Sequence, residues 1–237
     1  YYAYCILYTK QKLNRNEMND LSSTRLITRN QPPKARELDF SEASRLEQRL
    51  KKDTQCEILF SHFDRGRYAT DASHYQIFPI GVVVPKTRDD LTALIDIATE
   101  MGICLTGRGG GTSQNGQTIN QSLVVDNSKY LNRLVELDSE NRTCIVEPGI
   151  VLDHLNSKLK KTGLWYPVDV STSSRATLGG MTGNNSCGSR SIRYGTMRDN
   201  VRSVRALLAS GSTVSWRTLS EQEQGIPIAD LRARNDP

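Results

Sequence analysis

The sequence predicts an α+β fold, on three observations. A strand–helix–strand unit spans residues 82 to 106, a β-rich stretch follows to Glu147, and a second amphipathic helix precedes a C-terminal hairpin signal. Strands and helices do not alternate regularly, so a doubly wound parallel sheet is not expected. The chain has 237 residues, 37% hydrophobic and 24% charged, enough to bury a sizeable core and unlike a disordered or collagen-like chain.

The first thirty residues show no clear periodicity. Tyr1 to Tyr8 is apolar but lacks the basic flank and small-residue cleavage site of a signal peptide. Met18, followed by Asn-Asp-Leu-Ser-Ser, is the expected native start, with the residues before it read as extra translated sequence or a cloning remnant. Gln31-Pro32-Pro33-Lys34 breaks regular structure, because proline restricts itself and its predecessor to extended conformations. Residues 1–38 are therefore expected to be an N-terminal extension, partly disordered.

Phe40, Ala43, Leu46 and Leu50 recur at spacings of three or four and predict a helix over Asp39 to Lys52. Val82-Val83-Val84-Pro85 is a β-branched run ended by proline, a strand. Thr87 with Asp90 three residues on resembles a capping box, and Leu91, Leu94, Ile95, Ala98 and Met101 form the apolar face of the helix it opens. Gly102 should end that helix in a left-handed turn, with Ile103 to Thr106 extended beyond it. Strands are expected at Ser122 to Asp126, Leu134 to Asp138 and Thr143 to Glu147, and a helix at Val151 to Lys161 stopped by Gly163. Val204 to Ala209 and Thr213 to Trp216 flank Ser210-Gly211-Ser212 as a hairpin.

Composition narrows the functional classes. The net charge is +5, but the basic residues are scattered beside acids, which describes a solvated surface better than a nucleic-acid groove. No apolar run approaches the roughly 20 residues needed to span a bilayer. Five cysteines, an odd number with no close pair, argue against a disulfide framework or a CxxC site and suggest a reducing compartment, by default the cytoplasm. His62, His74 and His154 share no metal-ligand spacing, so no metal site is expected.

Two small-residue stretches carry the chemistry. The first is Gly107-Arg108-Gly109-Gly110-Gly111-Thr112-Ser113, extended by Gln114-Asn115-Gly116-Gln117. Successive glycines are entropically expensive to order, and they fit a loop whose N–H groups converge on an anion such as a diphosphate. The spacing matches neither a G-x-G-x-x-G fingerprint nor a P-loop. The second stretch runs from Pro167-Val168-Asp169-Val170-Ser171 to Thr177-Leu178-Gly179-Gly180-Met181-Thr182-Gly183-Asn184-Asn185-Ser186-Cys187-Gly188, with Tyr194-Gly195 beyond. Two such stretches about seventy residues apart suit loops converging on one long ligand with a flat ring.

With these motifs in order, the sequence resembles the FAD-linked oxidases of the vanillyl-alcohol oxidase and p-cresol methylhydroxylase type, in the D-lactate and D-2-hydroxyglutarate dehydrogenase-like branch. The matching residues are Val82 to Pro85, Arg108 to Ser113 with Asn115-Gly116-Gln117, Pro167 to Ser171, Thr177 to Gly188, and Tyr194-Gly195 with Asp199-Asn200-Val201. The resemblance implies a p-cresol methylhydroxylase-type FAD-binding domain of two α+β subdomains over residues 39–237. The first subdomain would cover about 39–127 and the second about 128–237, C-terminally incomplete. Arg108, Gly109, Gly110, Gly111, Thr112 and Ser113 would hold the pyrophosphate, with Gly116 shaping the loop exit. Pro167, Asp169, Ser171, Thr177, Gly179 and Gly180 would line the flavin, and Gly183, Asn184, Asn185, Ser186 and Gly188 would continue the site.

The implied activity is oxidation of a D-2-hydroxy acid such as D-lactate or D-2-hydroxyglutarate by hydride transfer to noncovalent FAD, since no histidine lies in the glycine loop. The electron acceptor is not specified. In relatives the substrate-binding cap and any iron–sulfur cluster belong to later regions, so no catalytic residue is assigned; His74 and Tyr75 are considered for the flavin edge only. A noncatalytic FAD-binding fragment is the alternative, and the NADPH-using enolpyruvyl-glucosamine reductase branch fits the motifs less well.

Overall fold

In a computed structural model, residues 38–217 are described. The expectations for the segment before Met18 and for the Pro32-Pro33 break lie outside these residues.

The chain opens with helix α1 (Phe40–Asp53), whose capping box joins the Asp39 carboxylate to the Glu42 N–H and the Glu42 carboxylate to the Asp39 N–H. Strand β1 (Glu57–Leu59) and a short helix α2 (His62–Arg67) follow. Strand β2 (Gly81–Val84) leads into helix α3 (Arg88–Met101), and Gly102 ends α3 at φ +65° as its position predicts. The Thr87–Asp90 capping box forms, and Asp90 does more than cap. Its carboxylate accepts from the N–H groups of Lys86, Thr87 and Gln55, which fixes the start of α3 to the approach to β1.

Strands β3 (Leu105–Arg108) and β4 (Leu123–Asp126) complete a four-stranded sheet of order β1-β2-β4-β3. β2, β3 and β4 are mutually parallel and β1 is antiparallel to β2. The strand–helix–strand unit expected over 82–106 therefore exists, but β4 lies between its two strands. Sequence periodicity identifies strands without ordering them, and here the order is what brings the end of β4 beside the glycine loop. Leu46 and Leu50 of α1 and Leu91, Leu94 and Ile95 of α3 pack with Val83, Leu123 and Val125 of the sheet into one apolar core.

A two-stranded ribbon comes next, β5 (Leu134–Asp138) against β6 (Thr143–Val146), with a bulge between Leu134 and Glu136. Helix α4 (Leu152–Leu159) tightens into a 3-10 turn at Lys160–Thr162 and stops at Gly163, φ +73°. Three short helices follow, α5 (Leu178–Gly183), α6 (Ser191–Tyr194) and α7 (Met197–Asn200). A second core gathers Ile150, Leu152, Leu155, Leu159, Val168, Leu178, Met181 and Met197. Hairpin strands β7 (Ser203–Leu207) and β8 (Thr213–Arg217) pair antiparallel around Gly211, φ +80°, and Leu207 returns to the first core.

Candidate cofactor site

β3 runs directly into the glycine loop, so the loop leaves the C-terminal edge of a parallel strand, where open α/β sheets admit ligands. Its glycines are required sterically. A Cβ on Gly110 would sit 2.1 Å from the Arg175 carbonyl oxygen, and one on Gly109 would sit 2.2 Å from Thr177 Oγ1. Bare main chain thus lets the first stretch lie against residues 175–177 of the second. Gly111 takes φ +66°, and its carbonyl accepts from the Ala72 N–H at 3.1 Å. Among the described residues, the N–H groups of Gly109, Gly110, Gly111 and Thr112 are given to no other protein acceptor. Ser113 Oγ, nearly buried, accepts from the N–H groups of Asn115 and Gln117 and so folds the loop's exit. Gly116 turns there at φ +72°.

The second stretch differs. Thr177 caps α5 by accepting from the Gly180 N–H, while the N–H groups of Leu178 and Gly179 go to the carbonyls of Ile150 and Pro148. These donors are already used, so Gly179 and Gly180 offer a flat, side-chain-free surface rather than hydrogen bonds. A Cβ on Gly179 would meet Pro148 at 2.7 Å.

A cleft of about 450 Å³ lies where the two stretches meet, within the usual size range of ligand sites. Gly107, Arg108, Gly109 and Ser113 contribute from the first stretch, and Thr177, Gly179, Gly180, Gly183 and Asn184 from the second. Two stretches about seventy residues apart in sequence thus line one cleft. The wall does not include Gly110, Gly111, Thr112 or Gly116, which continue the loop beyond it. Pro167, Asp169, Ser171, Asn185, Ser186 and Gly188 also lie outside it.

Several of those outlying residues have local partners. Asp169 accepts from the Ser189 hydroxyl at 2.8 Å and the Arg190 N–H at 3.1 Å, hydrogen bonds that hold its carboxyl below the usual range. Gly188 packs so closely that a Cβ would lie 1.8 Å from the Asp169 carbonyl oxygen. Asn185, at φ +47°, accepts through Oδ1 from the Thr196 hydroxyl and the Arg198 N–H. Ser186 is tied to Met181 and Met197 through its backbone.

Sequence reasoning did not assign Leu105, Thr106, Thr118, Asn127 or Pro148, which also line the wall. Asn127 lies just beyond the parallel strand β4, a position that was the available signal, whereas Pro148 follows the antiparallel strand β6 and carried none. Asn127 is 5% exposed, and its Oδ1 has no hydrogen-bond partner.

Arg108 gives the cleft its positive charge. Its guanidinium lies 5.1 Å over the Tyr68 ring and donates to the Thr70 carbonyl at 2.9 Å and the Tyr68 carbonyl at 3.4 Å. Burial lowers its pKa while the charge of Asp126 opposes that shift, and an arginine remains cationic in any case. The Tyr68 hydroxyl donates to Asp126 Oδ2 at 2.7 Å; burial first, and the Asp126 charge second, push the phenol's pKa up. Oδ1 of Asp126 meanwhile accepts from Ser128. This network braces the segment at 68–70 against the ends of β3 and β4.

Neither His74 nor Tyr75 lines the cleft, and Tyr75 is largely exposed. Among the described residues no cluster of three His, Cys, Asp or Glu is placed to hold a metal ion, and no helix is long and apolar enough to cross a membrane.

An extended anionic dinucleotide fits these features: uncommitted N–H groups beside a fixed cation, bare glycine surfaces where a Cβ would intrude, and an orphaned buried amide oxygen.

Comparison with known proteins agrees. The family described as FAD binding domain matches residues 79–217. D-2-hydroxyglutarate dehydrogenase of Escherichia coli strain K12 is 39% identical over 162 residues, covering 67% of this chain and 16% of that protein. Its namesake from Pantoea ananatis is 40% identical over 160 residues, covering 66% and 16%. The chain thus spans about a sixth of the length of these relatives. Among solved structures, alkyldihydroxyacetonephosphate synthase shares the fold at TM-score 0.66 and 20% identity, over 80% of this chain and 36% of that one. The chain belongs to the FAD-binding domain family.

Proposed function

We propose that this chain is the FAD-binding part of a dehydrogenase that oxidises a D-2-hydroxy acid, with D-2-hydroxyglutarate and D-lactate as the first substrates to test. The observation that carries the reading is the single cleft walled by both glycine-containing stretches. Support for the substrate class comes from the names of the relatives, D-2-hydroxyglutarate dehydrogenase in four bacteria and D-lactate dehydrogenase in others.

The N–H groups of Gly109 to Thr112 would donate to the pyrophosphate, with the Arg108 guanidinium supplying charge from a fixed position rather than a mobile arm. Gly179 and Gly180 would present the flat surface against which the cofactor lies. Pro167, Asp169, Ser171, Asn185, Ser186 and Gly188 would support the flavin end, with Asp169 anchoring the loop at 188–190. The bound FAD would supply hydride acceptance from the alcohol carbon, and the chain's own part is to hold and orient it without a covalent bond. The two subdomains would divide near residue 127, and the cytoplasm is the proposed location.

The test is to titrate the purified chain with FAD, following quenching of flavin fluorescence, and then to supply each hydroxy acid with an artificial electron acceptor. Saturable binding with turnover supports the whole reading. Binding without turnover restricts the chain to a noncatalytic FAD-binding role. No binding at tens of micromolar FAD removes the reading.

A further inference from the structure

We infer that the Asn127 carboxamide is a contact for the bound dinucleotide, held unsatisfied until the ligand arrives; the inference rests on the FAD reading above. Asn127 lies immediately beyond β4, in the wall of the cleft, between the glycine loop and Pro148. Its backbone is fixed, since the Asn127 N–H donates to the Arg108 carbonyl at 3.0 Å and its carbonyl packs against Gly149, where a Cβ would lie 2.1 Å from that oxygen. Only the side chain is left to adapt.

Its Oδ1 is the one buried side-chain polar atom among the described residues with no hydrogen-bond partner. Buried polar groups are nearly always paired, so an orphan in a ligand cleft calls for a partner that is not part of the chain. The neighbouring Asp126 shows the contrast, with both carboxylate oxygens occupied by Tyr68 and Ser128. Oδ1 is also closed to solvent, so water does not satisfy it in this shape. A change of side-chain rotamer, with the backbone fixed, carries Oδ1 to the cleft.

A carbonyl oxygen accepts only, so its complement on the dinucleotide is a hydroxyl or an N–H group. A phosphate oxygen, itself an acceptor, does not serve. The chain therefore tolerates an unpaired amide when empty and recovers a hydrogen bond when loaded, trading stability for affinity.

Asn127→Leu, of similar size and without polar atoms, tests this with two readouts of opposite sign. The ligand-free variant should melt no lower than the parent, and about 2 °C higher where the orphan's full cost is relieved. Its FAD affinity by fluorescence titration should fall about tenfold. Adenosine and riboflavin, competed against FAD, carry hydroxyl and N–H donors without phosphate, and at least one should lose affinity in proportion. Asn127→Ala, with its fold checked by circular dichroism, decides the affinity arm if the leucine variant fails to fold. A lower melting point in a folded leucine variant, unchanged FAD affinity, or a loss confined to phosphate-bearing ligands would overturn the inference. Failure of the parent chain itself to bind FAD would instead remove the reading on which it rests.

Discussion

Glycine acts in two different ways in this molecule, and single substitutions separate them. At Gly102 the backbone needs φ +65° but nothing lies within 4 Å of an added Cβ. Gly102→Ala should therefore cost about 1 kcal/mol and leave the cleft intact. At Gly110 the added Cβ would lie 2.1 Å from a backbone oxygen of the facing stretch, and backbone yields less readily than a flexible side-chain end. Gly110→Ala should cost about 2–3 kcal/mol and weaken FAD binding at least tenfold, because the glycine loop must draw back from the facing stretch. Urea midpoints and flavin titrations on both variants check this. Equal losses would show that conformational strain, not close approach, is what glycine relieves here. The sequence marks both positions as glycine, but only the three-dimensional neighbours tell them apart.

Among the elements, the junction of β1 with α3 makes a pH-dependent prediction. Asp90 is buried, which by itself raises its pKa, but the N–H groups of Gln55, Thr87 and Lys86 together outweigh that burial and hold the carboxyl below its usual range. A carboxyl lowered in the folded state adds stability above the unfolded value of about 4, and that stability disappears as pH falls through the folded value. Urea midpoints should decline from pH 5 toward pH 3. Asp90→Asn should be less stable than the parent at pH 7 and show a shallower decline; an unchanged slope would remove Asp90 from the account. Half of this junction was legible, since Thr87-x-x-Asp90 reads as a capping box. The Gln55 contact joins positions 35 apart in sequence, beyond any local pattern.

Two apolar cores underlie the whole molecule, and the cleft takes its walls from elements packed on each. Leu94→Ala in the first core and Leu155→Ala in the second should each cost about 2–5 kcal/mol, since both side chains are essentially fully buried. If one ligand bridges both cores, FAD at a hundredfold its dissociation constant should add about 2.7 kcal/mol to the stability of either variant. Chemical denaturation with and without FAD measures this. Rescue of one variant alone would mean that the ligand is held by one core only.

Local chemistry made much of the molecule readable. The periodic apolar faces of α1, α3 and α4, the left-handed stops at Gly102 and Gly163, the β-branched strands and the two small-residue stretches depend on neighbours within a few positions. The short helices α5 to α7 were not readable, because Gly179 and Gly180 inside α5 contradict helix propensity and tertiary packing overrides it. The insertion of β4 between β2 and β3 was likewise hidden, since strand order is set by long-range pairing rather than by periodicity. From that insertion follows the position of Asn127 beside the glycine loop, while the meeting of Gly110 with Arg175 and the use of the Gly179 N–H by Pro148 depend on packing between other distant segments. The chain's covalent order supplies the groups that can grip a cofactor, but which of them face one cleft is a matter of packing between distant segments.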